Sequence, residues 1–145
     1  MACSQRGFTL LETLIGLTIV SILAVTAIPV YMNYETKAGV IDGLSLAGPV
    51  KSMVSEYYQT TGIWPADNSQ ASLPEPTNYQ SDLVNSITVD NSGGSGRITI
   101  VYQIPALGNN NTLYLTTEDA DPTVITWRCL PGTILEKFLP LACKN

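Results

Sequence analysis

Histidine is absent from the 145 residues. That absence removes imidazole general bases and His-containing metal sites. Charge is sparse: only 13% of the residues are Asp, Glu, Lys or Arg, and twelve carboxylates against seven cations leave a net charge of −5. Sequence-independent nucleic-acid binding depends on Lys and Arg neutralising phosphates, so the composition argues against that class and leaves room for no more than a small basic tip. Cysteine is limited to Cys3, Cys129 and Cys143, one pair and one odd thiol. Two neighbouring sulfur ligands without histidine make a poor metal site, and the Cys129–Cys143 spacing excludes a CxxC redox motif. Ser and Thr are abundant, yet no histidine or convincing lysine stands ready to activate one. The sequence therefore points to no catalytic residue, no metal and no cofactor, and an enzyme is not expected. Its length allows one domain with a modest core.

Charge is scarcest near the start. Between Phe8 and Tyr34 the only charged side chain is Glu12. Leu10 to Met32 supplies the roughly 20 mostly apolar residues a membrane helix needs. Arg6 precedes the run and most of the charge follows it, so the positive-inside rule places residues 1–7 in the cytoplasm and the C-terminal bulk outside. A buried core helix is the first alternative, but a small domain rarely houses so long an all-round apolar helix. A secretory signal peptide is the second. Its apolar region is about 7–15 residues long, and the "VTAIP" that ends this run is a poor cleavage site. Another processing point lies ahead of the run, between Gly7 and Phe8, where a cut would retain the apolar segment. A carboxylate in a membrane helix costs up to about 2.5–3.5 kcal/mol, less near an end, which marks Glu12 as a functional residue. A headgroup-seeking interfacial Glu is the plainer reading. Pro29 lacks a backbone donor, so a helix break or kink is expected there.

The stretch "RGFTLLETLIGLTIVSILAVTAIP", Arg6 to Pro29, resembles the N-terminus of bacterial type IV pilins and their relatives. The resemblance implies that residues 1–7 are a leader removed after Gly7 by a prepilin peptidase. The same peptidase would then methylate the new amino terminus at Phe8. It implies that Glu12, one turn from that amine, helps recruit the subunit and sets its axial register. A buried ion pair suits such a register role better than it suits net stability. It further implies that the stretch around Pro29 melts when the subunit leaves lipid, and that residues 8–34 form the transmembrane and filament-core helix. The implied partners are further copies of the chain in a helical filament, the prepilin peptidase, an inner-membrane assembly platform with ATPase-driven machinery, and the membrane before assembly. The implied location is the inner membrane for the precursor, then an extracellular pilus.

Residues 35–145 read as a globular pilin domain. Lys37 to Tyr58 has apolar residues near helical spacing, at Val40, Leu44, Ala47, Val54 and Tyr58. Gly39, Gly43, Gly48 and Pro49 weaken that helix, and a bend or break is expected near Gly48-Pro49. The GxxxG spacing of Gly39 and Gly43 contains Asp42 and reads as incidental. Residues 59–84, rich in Pro, Ser, Asn and Gln, form a long connection. Strands are expected at Ser86–Val89, Arg97–Ile104, Thr112–Thr117 and Thr123–Arg128, with turns at "DNSGGSG", "LGNNN" and "EDADP". The fold class is α+β: a long N-terminal hydrophobic helix whose C-terminal half packs on a 3-4-stranded antiparallel sheet, closed by a C-terminal disulfide loop. Glu118, Asp119 and Asp121 could offer oxygen ligands to calcium but read as a solvated turn. Asn110–Thr112 fits a glycosylation acceptor by chance.

Cys129 and Cys143 face an oxidising compartment under this orientation, so a disulfide is expected, and closing a loop of that length contributes about 3 kcal/mol. Cys3 would leave with the leader. Three function classes follow: a structural subunit of a type IV pilus serving adhesion, twitching motility or DNA uptake; a pseudopilin of a type II secretion system; and an uncleaved single-pass anchored binding protein. The terminal cysteine loop favours the first.

Overall fold

The computed structural model describes residues 7–109, 111–121 and 124–144. Cys3, Arg6, Asn110 and Thr123 lie outside the described residues, as do the side chains of 119–121. The chain divides into two compact units at Tyr34/Glu35, and each is described separately.

One helix, α1, spans Leu10–Thr61, 52 residues. In the first unit its side chains are exposed all round: Leu11, Leu14, Leu17, Val20, Ile28 and Val30 are each at least half accessible. The hydroxyls within this apolar stretch turn inward on the helix. Thr13 donates to the Leu10 carbonyl at 2.9 Å, Thr18 to Leu14 at 2.8 Å and Ser21 to Leu17 at 2.8 Å. Back-bonding of this kind satisfies a hydroxyl without water, which is what a lipid environment demands. The helix is long and apolar enough to cross a membrane.

One expectation about α1, a break near Gly48-Pro49, is corrected. The helix runs through Pro29 without a break, and it also runs through Gly48-Pro49. A proline withdraws one donor, here from the Val25 and Ser45 carbonyls respectively, and costs about 3 kcal/mol in a helix interior. At Pro49 the loss is offset by packing: Ala47, Val50 and Val54 on either side are fully buried in the core. At Pro29 one missing bond in so long a ladder does not end the helix. The C-terminus stops where Gly62 adopts φ +75° and donates its N–H to the Tyr58 carbonyl at 2.8 Å, a left-handed cap that residues with a Cβ enter at a cost.

In the second unit a four-stranded antiparallel sheet has the order β1-β2-β3-β4, with β1 Val84–Asp90, β2 Arg97–Tyr102, β3 Thr112–Asp121 and β4 Val124–Pro131. The expected α+β architecture is the observed one. Alternation decides the faces. Val84, Ile87 and Val89 pair with Tyr102, Ile100 and Ile98, all buried, and the row continues through Leu113 and Leu115. Val40, Ala47, Val50 and Val54 of α1 join them in one core. Strand β2 ends at Tyr102, two residues short of expectation. Its neighbour Gln103 instead donates its N–H to the Leu83 carbonyl at 2.9 Å, and Pro105 opens a short 3-10 turn. The β1–β2 connection uses Gly93 and Gly94 at φ +76° and +81°.

The long connection after α1 is held at defined points. Asn68 is buried. Its amide donates to the Pro74 carbonyl at 3.1 Å and the Ile87 carbonyl at 3.0 Å, and its oxygen accepts the Val89 N–H at 2.7 Å. Asn68 thus takes the place of a neighbouring strand on the outer edge of β1, blunting an edge that would otherwise invite pairing. Trp64 stacks on Tyr58 at 3.9 Å and meets Trp127 edge-on at 6.3 Å. Trp127 donates from Nε1 to the Ser55 hydroxyl at 3.1 Å.

Candidate functional site

Gly7, Phe8 and Thr9 precede the helix, and Phe8 is 79% exposed. The Gly7–Phe8 bond thus lies outside regular secondary structure, on the N-terminal side of α1. A Cβ built on Gly7 would meet nothing within 4 Å among the described residues, so none of them imposes a packing need for glycine there. Thr9 caps the helix: its hydroxyl accepts the Glu12 N–H at 3.3 Å and its carbonyl accepts the Thr13 N–H at 3.2 Å. Thr9 and Glu12 therefore occupy the first and fourth positions of a Thr-x-x-Glu capping sequence. A carboxylate in the first helical turn also faces the positive end of the helix dipole. Sequence reasoning singled out Glu12 for its charge in an apolar run and overlooked this local role, although "TLLE" carried the signal.

At the other end of the chain Cys129 and Cys143 are bonded, with Cα atoms 4.7 Å apart. The bridge ties the C-terminal segment to β4. Of the apolar residues it encloses, Ile134, Phe138 and Leu139 are buried, whereas Leu135 and Leu141 are 50% and 83% exposed. Lys137 places Nζ 4.5 Å above the Phe138 ring. Glu118, from the acidic run, bonds Arg128 on the neighbouring strand at 2.7 Å.

A second feature was read as incidental and is not. The two glycines at GxxxG spacing seat side chains of the sheet region. A Cβ on Gly39 would lie 2.9 Å from Cδ1 of Ile104, and one on Gly43 would lie 2.3 Å from Cε1 of Tyr102. The Tyr102 hydroxyl donates to the Val40 carbonyl at 2.8 Å, and burial pushes its pKa up. The notch therefore serves packing of the sheet on the helix. Among the described residues no group of three or more His, Cys, Asp or Glu could hold a metal ion.

Comparison with known proteins agrees with these two ends. The prokaryotic N-terminal methylation motif matches residues 3–28, and the pilin (bacterial filament) family matches residues 36–144. The fimbrial protein EcpC of Eikenella corrodens is 35% identical over 144 residues, covering 97% of this chain and 92% of that protein. The type IV major pilin protein PilE of Neisseria gonorrhoeae is 41% identical over 87 residues, covering 60% of this chain and 52% of that protein. The type IV major fimbrial protein FimA of Dichelobacter nodosus is 41% identical over 59 residues, covering 41% of this chain and 37% of that protein. With its N-terminal and globular parts both matched, the chain belongs to the type IV pilin family.

Proposed function

We propose that this pilus structural subunit is made as an inner-membrane precursor comprising a leader (1–7), a membrane and filament-core helix (8–34) and a globular domain (35–145). A prepilin peptidase cuts between Gly7 and Phe8 and methylates the Phe8 amine. An inner-membrane platform and its ATPase then polymerise the mature chain through its N-terminal helix into a surface filament. One observation carries this reading: the apolar part of α1 has a window of mean hydropathy 2.3 with none of its residues buried. Such a surface must be covered, by lipid first and by like helices afterwards. In the filament Glu12 accepts the Phe8 ammonium of a neighbour and fixes the axial step, and the Pro29 turn, one donor short, is where the helix extends. The filament serves adhesion, twitching motility or DNA uptake.

Intact mass and N-terminal sequencing of filaments sheared from the cell surface test the processing. A chain beginning at N-methylated Phe8 is expected. A chain retaining Met1 would overturn the scheme and favour an uncleaved membrane-anchored protein. Absence of the chain from sheared filaments, with processing intact, would favour a pseudopilin.

A further inference from the structure

The two tryptophans of the chain are used differently. Trp127 donates its indole N–H to the Ser55 hydroxyl. Trp64 is only 7% exposed, yet its Nε1 has no acceptor among the described residues and is not sealed from solvent. The ring itself is fixed. Tyr58 stacks on it with the planes 12° apart, and Trp127 meets it edge-on. Gly96 also closes on it: a Cβ there would lie 2.5 Å from Cε3 and 2.9 Å from Cδ2 and Cζ3 of the indole, so only glycine lets the ring lie where it does.

Trp64 and Tyr58 line an open groove of about 490 Å³ in the globular unit, within the ~300–1,000 Å³ of small-ligand sites. Ile63, Gln70 and Asn91 line it too, and no side chain in its wall is charged. Both amides are pinned. Gln70 accepts the Ala66 N–H on Oε1 at 2.9 Å, and its own backbone N–H is held by Asp67 Oδ1 at 2.8 Å. Its amide nitrogen is left without an acceptor among the described residues. Asn91 donates from Nδ2 to the Trp64 carbonyl at 3.5 Å, and its side-chain oxygen is left without a donor among them.

An aromatic wall with fixed donors, a fixed acceptor and no charge is the complement of a neutral pyranose. Such a ring has a face of C–H bonds that lies against aromatic and aliphatic surface. Its rim of hydroxyls both donates and accepts, as the amides and the indole require. A phosphate or carboxylate would find no cation here. A purely apolar ligand would leave the indole and both amides unpaired. A proline-rich peptide follows aromatic grooves but presents only carbonyl acceptors from its prolines, which leaves the Asn91 oxygen without a donor.

We infer that this groove binds a neutral hexopyranose, free or at the end of an oligosaccharide. Trp64 Nε1 and the Gln70 amide nitrogen donate to its hydroxyls, the Asn91 oxygen accepts from one, and Tyr58 and Ile63 cover its C–H face. Because Trp64, Gln70 and Asn91 are held before the ligand arrives, little order is imposed on binding. The site lies within the globular unit and stands whether or not the chain polymerises.

Full-length protein in a detergent without a sugar headgroup tests it. Trp127→Phe leaves Trp64 as the sole tryptophan, and its fluorescence is titrated with the methyl pyranosides of glucose, galactose, mannose and N-acetylglucosamine. Saturation-transfer NMR repeats the titration on the unsubstituted protein, so the test survives if that variant fails to fold. A saturable response to at least one sugar is expected, with a dissociation constant on the order of 1 mM that is unchanged in about 0.5 M salt. Gln70→Ala and Asn91→Ala, each checked for cooperative unfolding, should weaken it about fivefold or more. No saturable response to any of the sugars up to about 50 mM overturns the proposal, as does undiminished affinity in both folded alanine variants. Tighter binding of a glucuronide than of the matching glucoside overturns the neutral ligand, and a proline-rich peptide that shifts Trp64 where no sugar does assigns the groove to a peptide instead.

Discussion

Replacing Gly43 by alanine places a methyl group where the structure has Tyr102. The new Cβ would sit 2.3 Å from Cε1 and 2.7 Å from both Cζ and the hydroxyl oxygen, so the ring must move. It has little room to do so, because Tyr102 is fully buried and its hydroxyl is bonded to the Val40 carbonyl at 2.8 Å. Overpacking a core costs about 1–3 kcal/mol, and leaving a buried hydroxyl unpaired costs about 1–3 kcal/mol. Against this, alanine gains about 1 kcal/mol over glycine in a helix interior. The balance is a net loss of about 2–4 kcal/mol, equivalent to a fall in Tm on the order of 10 °C for a domain of this size. Thermal unfolding of the detergent-solubilised mature chain, followed by near-UV circular dichroism, measures it. The diagnostic is a double-mutant cycle: in a Tyr102→Ala background, where the ring is gone, Gly43→Ala should be neutral or stabilising. If Gly43→Ala alone matches or exceeds wild-type stability, the notch is not a packing requirement and the reasoning fails.

Other residues carry predictions of the same kind. Burial pushes the Tyr102 phenol up, so the folded state resists its ionisation; the associated stability is complete below about pH 10, where the unfolded phenol titrates, and is lost as pH rises beyond it. Alkaline titration of Tyr102→Phe should show a shallower stability loss above pH 10 than wild type, with a residual slope from Tyr79, also raised by burial. Asn68→Ala strips the Val89 N–H and the Ile87 carbonyl of their partner on the β1 edge; denaturant unfolding should show a loss of about 1–3 kcal/mol, and light scattering should show faster association. Replacing Cys129 and Cys143 by serine should cost about 3 kcal/mol and leave membrane insertion unchanged, read by urea midpoint and by membrane fractionation. Glu12→Gln should insert and be processed as wild type, since the segment becomes less polar, but assemble poorly; wild-type filament yield from it would remove the register role.

How much of this was legible depended on whether the cause was local. The strands announced themselves by β-branched alternation, as in Arg97–Tyr102, where Ile98, Ile100 and Tyr102 face the core. The apolar run and the paired terminal cysteines were equally plain, because composition and compartment decide them. Helix continuity at Gly48-Pro49 was not legible. Local propensity opposed it, and burial of Ala47, Val50 and Val54 against a sheet formed far along the chain reversed the outcome. The purpose of Gly39 and Gly43 was hidden for the same reason, since their partners Ile104 and Tyr102 are some sixty residues away in sequence. Asn68 looked like one polar residue among many in a loop, and only the position of β1 gives its amide two strand partners.

The capping geometry sharpens what Glu12 is for. At the fourth position of Thr-x-x-Glu its charge is favoured by the helix dipole within its own chain, by typically 0.3–1 kcal/mol at an exposed site. The Thr9 hydroxyl satisfies the Glu12 N–H, and in such a sequence the carboxylate's own local partner is the Thr9 N–H. A local favour of that size is smaller than the few kcal/mol that a carboxylate costs inside a bilayer. Capping therefore cannot by itself offset burial of the charge once apolar helices close around it. A cation within reach can, and under the proposed processing a chain beginning at Phe8 would supply one at its own amine and one on every neighbouring copy. Thr9→Ala and Glu12→Gln separate the two roles. The first removes the cap and keeps the charge, so helix-end fraying should appear in amide exchange while filaments form. The second keeps the cap and removes the charge, so the helix end should stay protected while assembly fails. Equal assembly defects from both would mean that Glu12 acts through the helix end rather than through a neighbour's amine.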